Sequence, residues 1–141
     1  MSDPFQLARF VDAQAPVYAR VIAELAAGQK RSHWIWYIFP QLRGLGRSET
    51  ARLFGIASRA EASAYLVHPI LGPRLLECTA LMCGIENRSL AEIMPFPDDV
   101  KFISSMTLFV AVTETPALFL GALDRFAAGR QDRATLALLD A

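Results

Sequence analysis

Short helices are the structure that this sequence specifies most clearly, because signals that start and stop helices recur along its whole length. Ser58 and Ser89 are each followed three positions later by a glutamate. In such a capping box, the hydroxyl and the carboxylate satisfy free amides of the first helical turn. Glycines at positions 28, 84 and 129 follow apolar runs and are suited to end a helix. The pattern predicts a series of short, separately capped helices.

Apolar residues at helical spacing place the helices between these signals. Helices are expected after Asp3-Pro4, from Pro16 to Leu25, from Pro69 or Pro73 to Met82, from the Asp98 cap to Thr113, from Thr115-Pro116 to Gly129, and from the Asp132 cap to Leu139. Residues 34–39 are aromatic and β-branched, so a strand is also permitted there, but the helical neighbours favour a short helix. Seven or eight helices and no convincing strand indicate an irregular all-α fold.

Composition favours one folded domain. The chain has 141 residues, of which 53% are hydrophobic and 20% are charged, which argues against disorder. Its fourteen acidic and fourteen basic residues cancel, so a general polyanion binder is disfavoured and nucleic acid is an unfavoured partner. Because no repeat or long linker divides the sequence, residues 1–141 are expected to form a single helical domain.

The sequence predicts a cytoplasmic protein without a metal or a cofactor. Its first residues lack a basic region followed by an apolar stretch, and no window reaches the roughly 18 uncharged apolar residues of a membrane span. Cys78 and Cys83 lie in an apolar segment and are expected to be reduced core thiols. The two histidines have no ligand companions nearby in sequence. Gly44-Leu45-Gly46 follows no strand and lacks the third glycine of a dinucleotide site.

The segment from Lys30 to Ser48, here called the basic-aromatic segment, is the most unusual part of the sequence. No acidic residue occurs between Glu24 and Glu49, whereas the segment carries four Lys or Arg side chains and two tryptophans. Guanidinium groups bind phosphate or carboxylate as a fork, and indole rings stack on flat ligands. A small anionic or nucleotide-like ligand suits these groups. The alternative is that the tryptophans form a core cluster and the arginines are solvated loop charges.

A second polar group of residues lies on the helix expected after Asp98. Lys101 shares a helical face with Ser104 and Ser105. A lysine in the first turn opposes the helix dipole, so it requires an anion, which is a neighbouring aspartate or a bound ligand. A lysine beside a serine can generate a nucleophile if burial lowers the pKa of the amine. The alternative is that the serines bond to carbonyls one turn earlier while Lys101 pairs with an aspartate.

Blocks of sequence at 30–41, 44–48, 54–56, 61–74, 101–109 and 129–136 resemble the uncharacterised bacterial domain-of-unknown-function family 1810. The resemblance covers nearly the whole chain, but the family has no established activity. Some members carry the name calpastatin, which denotes a disordered inhibitor, and the globular composition of this chain disagrees with it. Two positions depart from the pattern: Phe54 stands where relatives often have tyrosine, and Pro95-Phe96-Pro97 replaces a more glycine-like approach to Asp98. The residues that the resemblance marks are Lys30, His33, Trp34, Trp36, Gln41, Arg43, Ser48, His68, Lys101 and Ser104.

These observations lead to the hypothesis that the basic-aromatic segment meets the Lys101 helix in a pocket for a small anionic or nucleotide-like ligand, with hydrolysis of that ligand as a further option. Catalytic candidates are His33, Lys101 and Ser104, and ligand-binding candidates are Lys30, Trp34, Trp36, Gln41, Arg43 and Ser48. His68 is expected to be a capping or packing residue. The competing hypothesis is a protein-interaction or self-assembly module, for example a homodimer, that uses the aromatic patch.

Overall fold

A computed structural model describes residues 2–140, and ten helices joined by short loops make up this part of the chain. They are α1 (Ala8–Gln14), α2 (Tyr18–Ala26), α3 (Ile35–Ile38), α4 (Glu49–Leu53), α5 (Arg59–Val67), α6 (Leu71–Cys83), α7 (Leu90–Ile93), α8 (Asp98–Val112), α9 (Ala117–Ala127) and α10 (Arg133–Leu139). The predicted all-α fold is confirmed. There are more helices than expected, since three of them have only four or five residues. Within the described residues, no helix is long and apolar enough to cross a membrane.

Side-chain caps form at several of the predicted helix starts. The Ser89 hydroxyl accepts a hydrogen bond from the Glu92 amide, and the Glu92 carboxylate accepts one from the Ser89 amide, so this capping box is complete. The second predicted box is only half formed. Ser58 caps the Glu61 amide, but the Glu61 carboxylate binds the guanidinium of Arg9 instead. A distant arginine thus competes successfully with the local pattern.

Two predicted helix starts were wrong. Asp98 does not cap α8, because its carboxylate lies 2.6 Å from the ammonium of Lys30 and is used in that ion pair. The first helix begins at Ala8 rather than directly after Asp3-Pro4. The Asp3 carboxylate still reaches the helix start, where it accepts hydrogen bonds from the amides of Leu7 and Ala8 at 2.8 and 3.0 Å.

The longest helix, α8, passes through the middle of the core and positions the polar residues of its first turns. It packs against α3, α5, α9 and α10. Phe102 is fully buried and meets Phe39 edge to face, with ring centroids 4.8 Å apart. Because Phe39 follows α3 directly, this contact fixes the basic-aromatic segment against the N-terminal half of α8. One residue earlier than Phe102, Lys101 therefore lies at the junction that the sequence hypothesis requires.

Gly72 marks the closest approach between α5 and α6. A methyl group at this position would lie 2.1 Å from the Leu66 carbonyl oxygen, which is a backbone atom that cannot move aside alone. Gly121 in α9 serves as a control for this helical glycine, since a methyl group there would meet no atom within 4 Å.

We expect Gly72→Ala to lower the free energy of unfolding by about 2 kcal/mol or more, because the two helices must separate to admit the methyl group. Gly121→Ala should instead raise it by about 0.5–1 kcal/mol through helix propensity. Urea denaturation followed by circular dichroism measures both changes. Equal effects at the two positions would contradict the described packing of α5 on α6.

Candidate functional site

The Glu24 carboxylate organises the start of the basic-aromatic segment. One of its oxygens accepts hydrogen bonds from the backbone amides of Arg31 and Ser32, at 2.7 and 2.9 Å, and from the Trp34 indole N–H at 3.0 Å. The other accepts from the Ser32 hydroxyl at 2.6 Å. Glu24 is 8% exposed, so these bonds lie out of water. The segment that lacks acidic residues in sequence is therefore folded around a carboxylate that precedes it.

These contacts determine the protonation state of Glu24. Burial alone would raise the pKa of Glu24, but the hydrogen bonds from Ser32, Arg31 and Trp34 outweigh it and lower the pKa to about 2. The carboxylate is therefore ionised at neutral pH and holds the turn at residues 31–34 as a charged acceptor.

Lys30 joins the same turn to the start of α8. Its side chain is 4% exposed, its ammonium lies 2.6 Å from Asp98 Oδ2, and it donates a hydrogen bond to the Ser32 carbonyl. The ammonium also lies 4.8 Å from the centroid of the Trp34 ring. Trp34 is 1% exposed, and its N–H is used by Glu24. Lys30 and Trp34 are thus parts of the framework, with no surface free for a ligand.

Lys101 is placed differently from Lys30. Asp98 is occupied by Lys30, and the Asp99 carboxylate accepts a hydrogen bond from the Val100 amide at 2.8 Å. Among residues 2–140, no carboxylate forms an ion pair with Lys101. Its ammonium lies 4.8 Å from the centroid of the Trp36 ring. The Trp36 indole N–H is buried and has no hydrogen-bond partner in the described residues. Two donors without acceptors therefore lie side by side.

Lys101 borders a surface cleft of about 250 Å³, here called the Lys101 cleft, between the loop after α3, the turn before α8 and the start of α10. Its walls include Gln41, Leu45, Phe96, Lys101, Ser104 and Asp132. A smaller void of about 10 Å³ adjoins it and is lined by Trp36, Gln41 and Lys101 together with apolar side chains. That volume is close to the space that one water molecule or one ligand oxygen needs.

The Ser104 hydroxyl forms part of the wall of the cleft. It lies 3.1 Å from both the Val100 carbonyl oxygen and Asp132 Oδ2, so its proton has acceptors within the protein. Asp132 Oδ2 also accepts hydrogen bonds from the amide and the hydroxyl of Thr135, at 3.0 and 2.5 Å. Ser105 differs from its neighbour, because its hydroxyl is buried without a partner among the described residues. The alternative predicted for this helix thus applies to Ser104 alone, and Lys101 does not pair with an aspartate.

The remaining predicted residues lie elsewhere. His33 is exposed and lines no wall of the Lys101 cleft. Ser48 is exposed and caps α4, and its hydroxyl accepts from the Ala51 amide at 3.1 Å. Arg43 is exposed and borders a different cleft. His68 Nδ1 accepts hydrogen bonds from the first amides of α6, which confirms its capping role. The structure therefore brings Trp36, Gln41, Lys101 and Ser104 together and leaves His33, Arg43 and Ser48 apart.

Two wall residues were not among the sequence candidates. Asp132 was recognised only as a helix cap, which it is, and nothing local in sequence shows that it also lines the cleft with Lys101. Phe96 is 78% exposed at the mouth of the cleft. The sequence did contain one indication of this exposure. Phe96 lies between Pro95 and Pro97, and the two prolines keep it out of a helix.

Neither the cysteines nor the acidic residues of residues 2–140 form a metal site. Cys78 and Cys83 are unpaired, and burial raises the pKa of the Cys78 thiol to about 12, so it is unreactive. No group of three His, Cys, Asp or Glu side chains in this range is arranged to hold a metal ion.

Comparisons with known proteins identify relatives of the whole chain. The sequence profile of a family described as "Protein of unknown function (DUF1810)" matches residues 4–139. The crystal structure of the conserved hypothetical protein Rv1873 from Mycobacterium tuberculosis is similar over 99% of both chains, with 54% identity and a TM-score of 0.97. No curated protein matches significantly.

The variant Glu24→Gln tests the role of the buried carboxylate through the pH dependence of the unfolding free energy. Because folding lowers its pKa from an ordinary 4.5 to about 2, Glu24 contributes stability that is complete above pH 4.5 and is lost as the pH falls toward 2. The difference in unfolding free energy between wild type and variant should be about 3 kcal/mol near neutral pH and should shrink across that window. Chemical denaturation at several pH values measures it. An equal difference at all pH values, or the same pH dependence in the exposed control Glu114→Gln, would contradict this role.

Proposed function

We propose a ligand-binding function for this chain, which belongs to the DUF1810 family: the Lys101 cleft binds a small organic anion with a flat, nucleotide-like body. The observation that carries the proposal is the partly buried Lys101, whose ammonium has no carboxylate partner in the described residues although fourteen acidic residues are present in the chain. A lysine kept unpaired beside an unpaired indole N–H suits an oxygen of a bound anion.

The electrostatics of α8 support an anion at this place. Lys101 lies in the first turn of a 15-residue helix, where the helix dipole already favours negative charge. The Asp98 carboxylate supplies a negative charge at this helix end, but the Lys30 ammonium balances that charge. An anionic group in contact with Lys101 would meet the side-chain cation and the positive helix end together.

The shape of the cleft supports a flat organic body. Leu45 and Phe96 supply apolar walls of the cleft. The Trp36 ring lies under the Lys101 ammonium and lines the void that adjoins the cleft. A volume of about 250 Å³ admits a compact ligand rather than a long chain. Gln41 and Asp132 add polar groups at the edge, where they can orient a ring that carries hydrogen-bonding atoms.

Hydrolysis of the ligand has less support than binding. His33 is exposed and does not line the cleft, so the cleft itself offers no histidine as an acid or base. The Ser104 hydroxyl is bonded within the protein, and no histidine contacts it. We therefore restrict the proposal to binding.

Amine labelling tests the proposal directly, because Lys30 and Lys101 are the only lysines in the sequence. The Lys101 ammonium should react faster than that of Lys30, which is buried in an ion pair. Adenosine monophosphate or benzoate should protect Lys101, and benzoate, which carries no phosphate, should also raise the melting temperature. Mass spectrometry of peptides separates the two lysines from the N-terminal amine.

Lys101→Met should abolish the rise in melting temperature, whereas Arg130→Gln, which removes an exposed cation outside the cleft, should keep it. If neither ligand protects Lys101, or if both variants lose the shift equally, the cleft is not the proposed site.

The second candidate function, self-assembly, is favoured by one observation. Phe96 and Val100, which are 78% and 48% exposed, lie together at the mouth of the Lys101 cleft. Sedimentation equilibrium decides between the two functions. If Phe96 meets a second copy of the chain, the mass should rise with concentration and Phe96→Ser should abolish the rise. A monomer at all concentrations would exclude self-assembly through this surface.

A further inference from the structure

A second cleft, of about 350 Å³, lies between the start of α1 and the loop that follows α4. Three arginines border it, namely Arg9, Arg43 and Arg52, together with the single carboxylate of Glu61. It shares no wall residue with the Lys101 cleft. The side chains that border the cleft therefore carry a local excess of two positive charges.

The Arg9 guanidinium is held by hydrogen bonds and an ion pair within the protein. Its guanidinium donates to the carbonyl oxygens of Phe5, Gln6, Leu53 and Gly55 and lies 2.7 Å from Glu61 Oε2. The other Glu61 oxygen accepts from the Ala57 amide at 2.9 Å. Arg9 and Glu61 therefore neutralise each other and form a rigid, hydrogen-bonded floor.

Arg43 and Arg52 have no such partners. Arg43 donates one hydrogen bond, from Nη2 to the Gly55 carbonyl oxygen at 3.1 Å, and this anchors its guanidinium. Neither arginine forms an ion pair with a carboxylate of residues 2–140. Both guanidinium groups keep N–H donors directed to solvent or to a ligand.

The backbone is built to place Arg43 at this cleft. An isolated β-bridge joins Leu42 to Ile56, and the Arg43 amide donates to the Ile56 carbonyl oxygen at 2.8 Å. Gly55 permits this approach, since a methyl group there would lie 2.7 Å from Arg43 Cβ and 2.8 Å from its Cα. Arg43 is thus fixed at its backbone and at its guanidinium.

We propose that this cleft binds a phosphate monoester. Guanidinium forks match phosphate oxygens, and a monoester carries about −1.5 to −2 charges at neutral pH, which balances Arg43 and Arg52. The organic part of the ester can pack on an apolar surface of the cleft. Leu53, which is 57% exposed, forms this surface together with Pro4 and Phe5. The combination of two unpaired arginines and an exposed leucine selects an ester rather than free phosphate.

Calorimetric titration with phenyl phosphate and with inorganic phosphate tests this site on the intact chain. Phenyl phosphate should bind more tightly than inorganic phosphate. Arg43→Gln and Arg52→Gln should each weaken its binding about tenfold. Arg130→Gln should leave it unchanged, since Arg130 is exposed and borders neither cleft. Thermal denaturation confirms that each variant is folded.

Lys101→Met separates this site from the Lys101 cleft. Phenyl phosphate should still bind this variant at the arginine cleft, whether or not the Lys101 cleft also binds a flat anion in the wild type. The inference is overturned if phenyl phosphate does not bind, if Arg130→Gln weakens binding as much as the two cleft variants, or if only Lys101→Met weakens it.

Discussion

The hydrogen bonds that the Glu24 carboxylate accepts from residues 31–34 are the constraint on which the candidate site depends. A charged carboxylate at 8% exposure is stable only if its lone pairs are satisfied, and four donors from the following turn satisfy them. The turn cannot relax without leaving that charge unpaired. It therefore fixes Trp34 in the core and determines where α3 begins, so that Trp36 reaches the boundary between core and cleft.

The distribution of charge around α8 follows from the same turn. Lys30 leaves the turn beside Asp98 and neutralises it, although Asp98 lies only three positions before Lys101 in the sequence. Because a distant lysine pairs with Asp98, and no other carboxylate of residues 2–140 forms an ion pair with Lys101, the Lys101 ammonium has no counter-charge in direct contact. A lysine without a counter-charge in the first turn of a helix costs stability, and a bound anion would recover it. Asp98 thus pairs with the distant Lys30 rather than with the nearby Lys101. As a result, Lys101 has no ion-pair partner at the Lys101 cleft.

Much of the helical architecture could be predicted because capping is local. Ser48, Ser89 and Asp132 cap their helices within three residues of themselves, and His68 does so too. The contacts that build the site are not local. Glu24 reaches Trp34 ten residues later, and Lys30 reaches Asp98 through the fold. Trp34 and Trp36 have similar sequence surroundings, and only the direction of α3 against α8 decides which of them is buried. The same holds for Arg43, which a β-bridge to Ile56 turns toward a different cleft from Lys101.

The most direct measurement of the central claim is two-dimensional proton–nitrogen NMR of the lysine ammonium groups, because only Lys30 and Lys101 give such signals. Lys30 should give a protected signal that adenosine monophosphate does not move, since Asp98 and the Ser32 carbonyl already hold its ammonium. Lys101 should exchange rapidly with water in the free protein and give a shifted, slowly exchanging signal when the ligand is added. If the Lys101 signal stays unchanged at saturating ligand, or if the Lys30 signal moves instead, the assignment of Lys101 as the free cation of a binding cleft is contradicted.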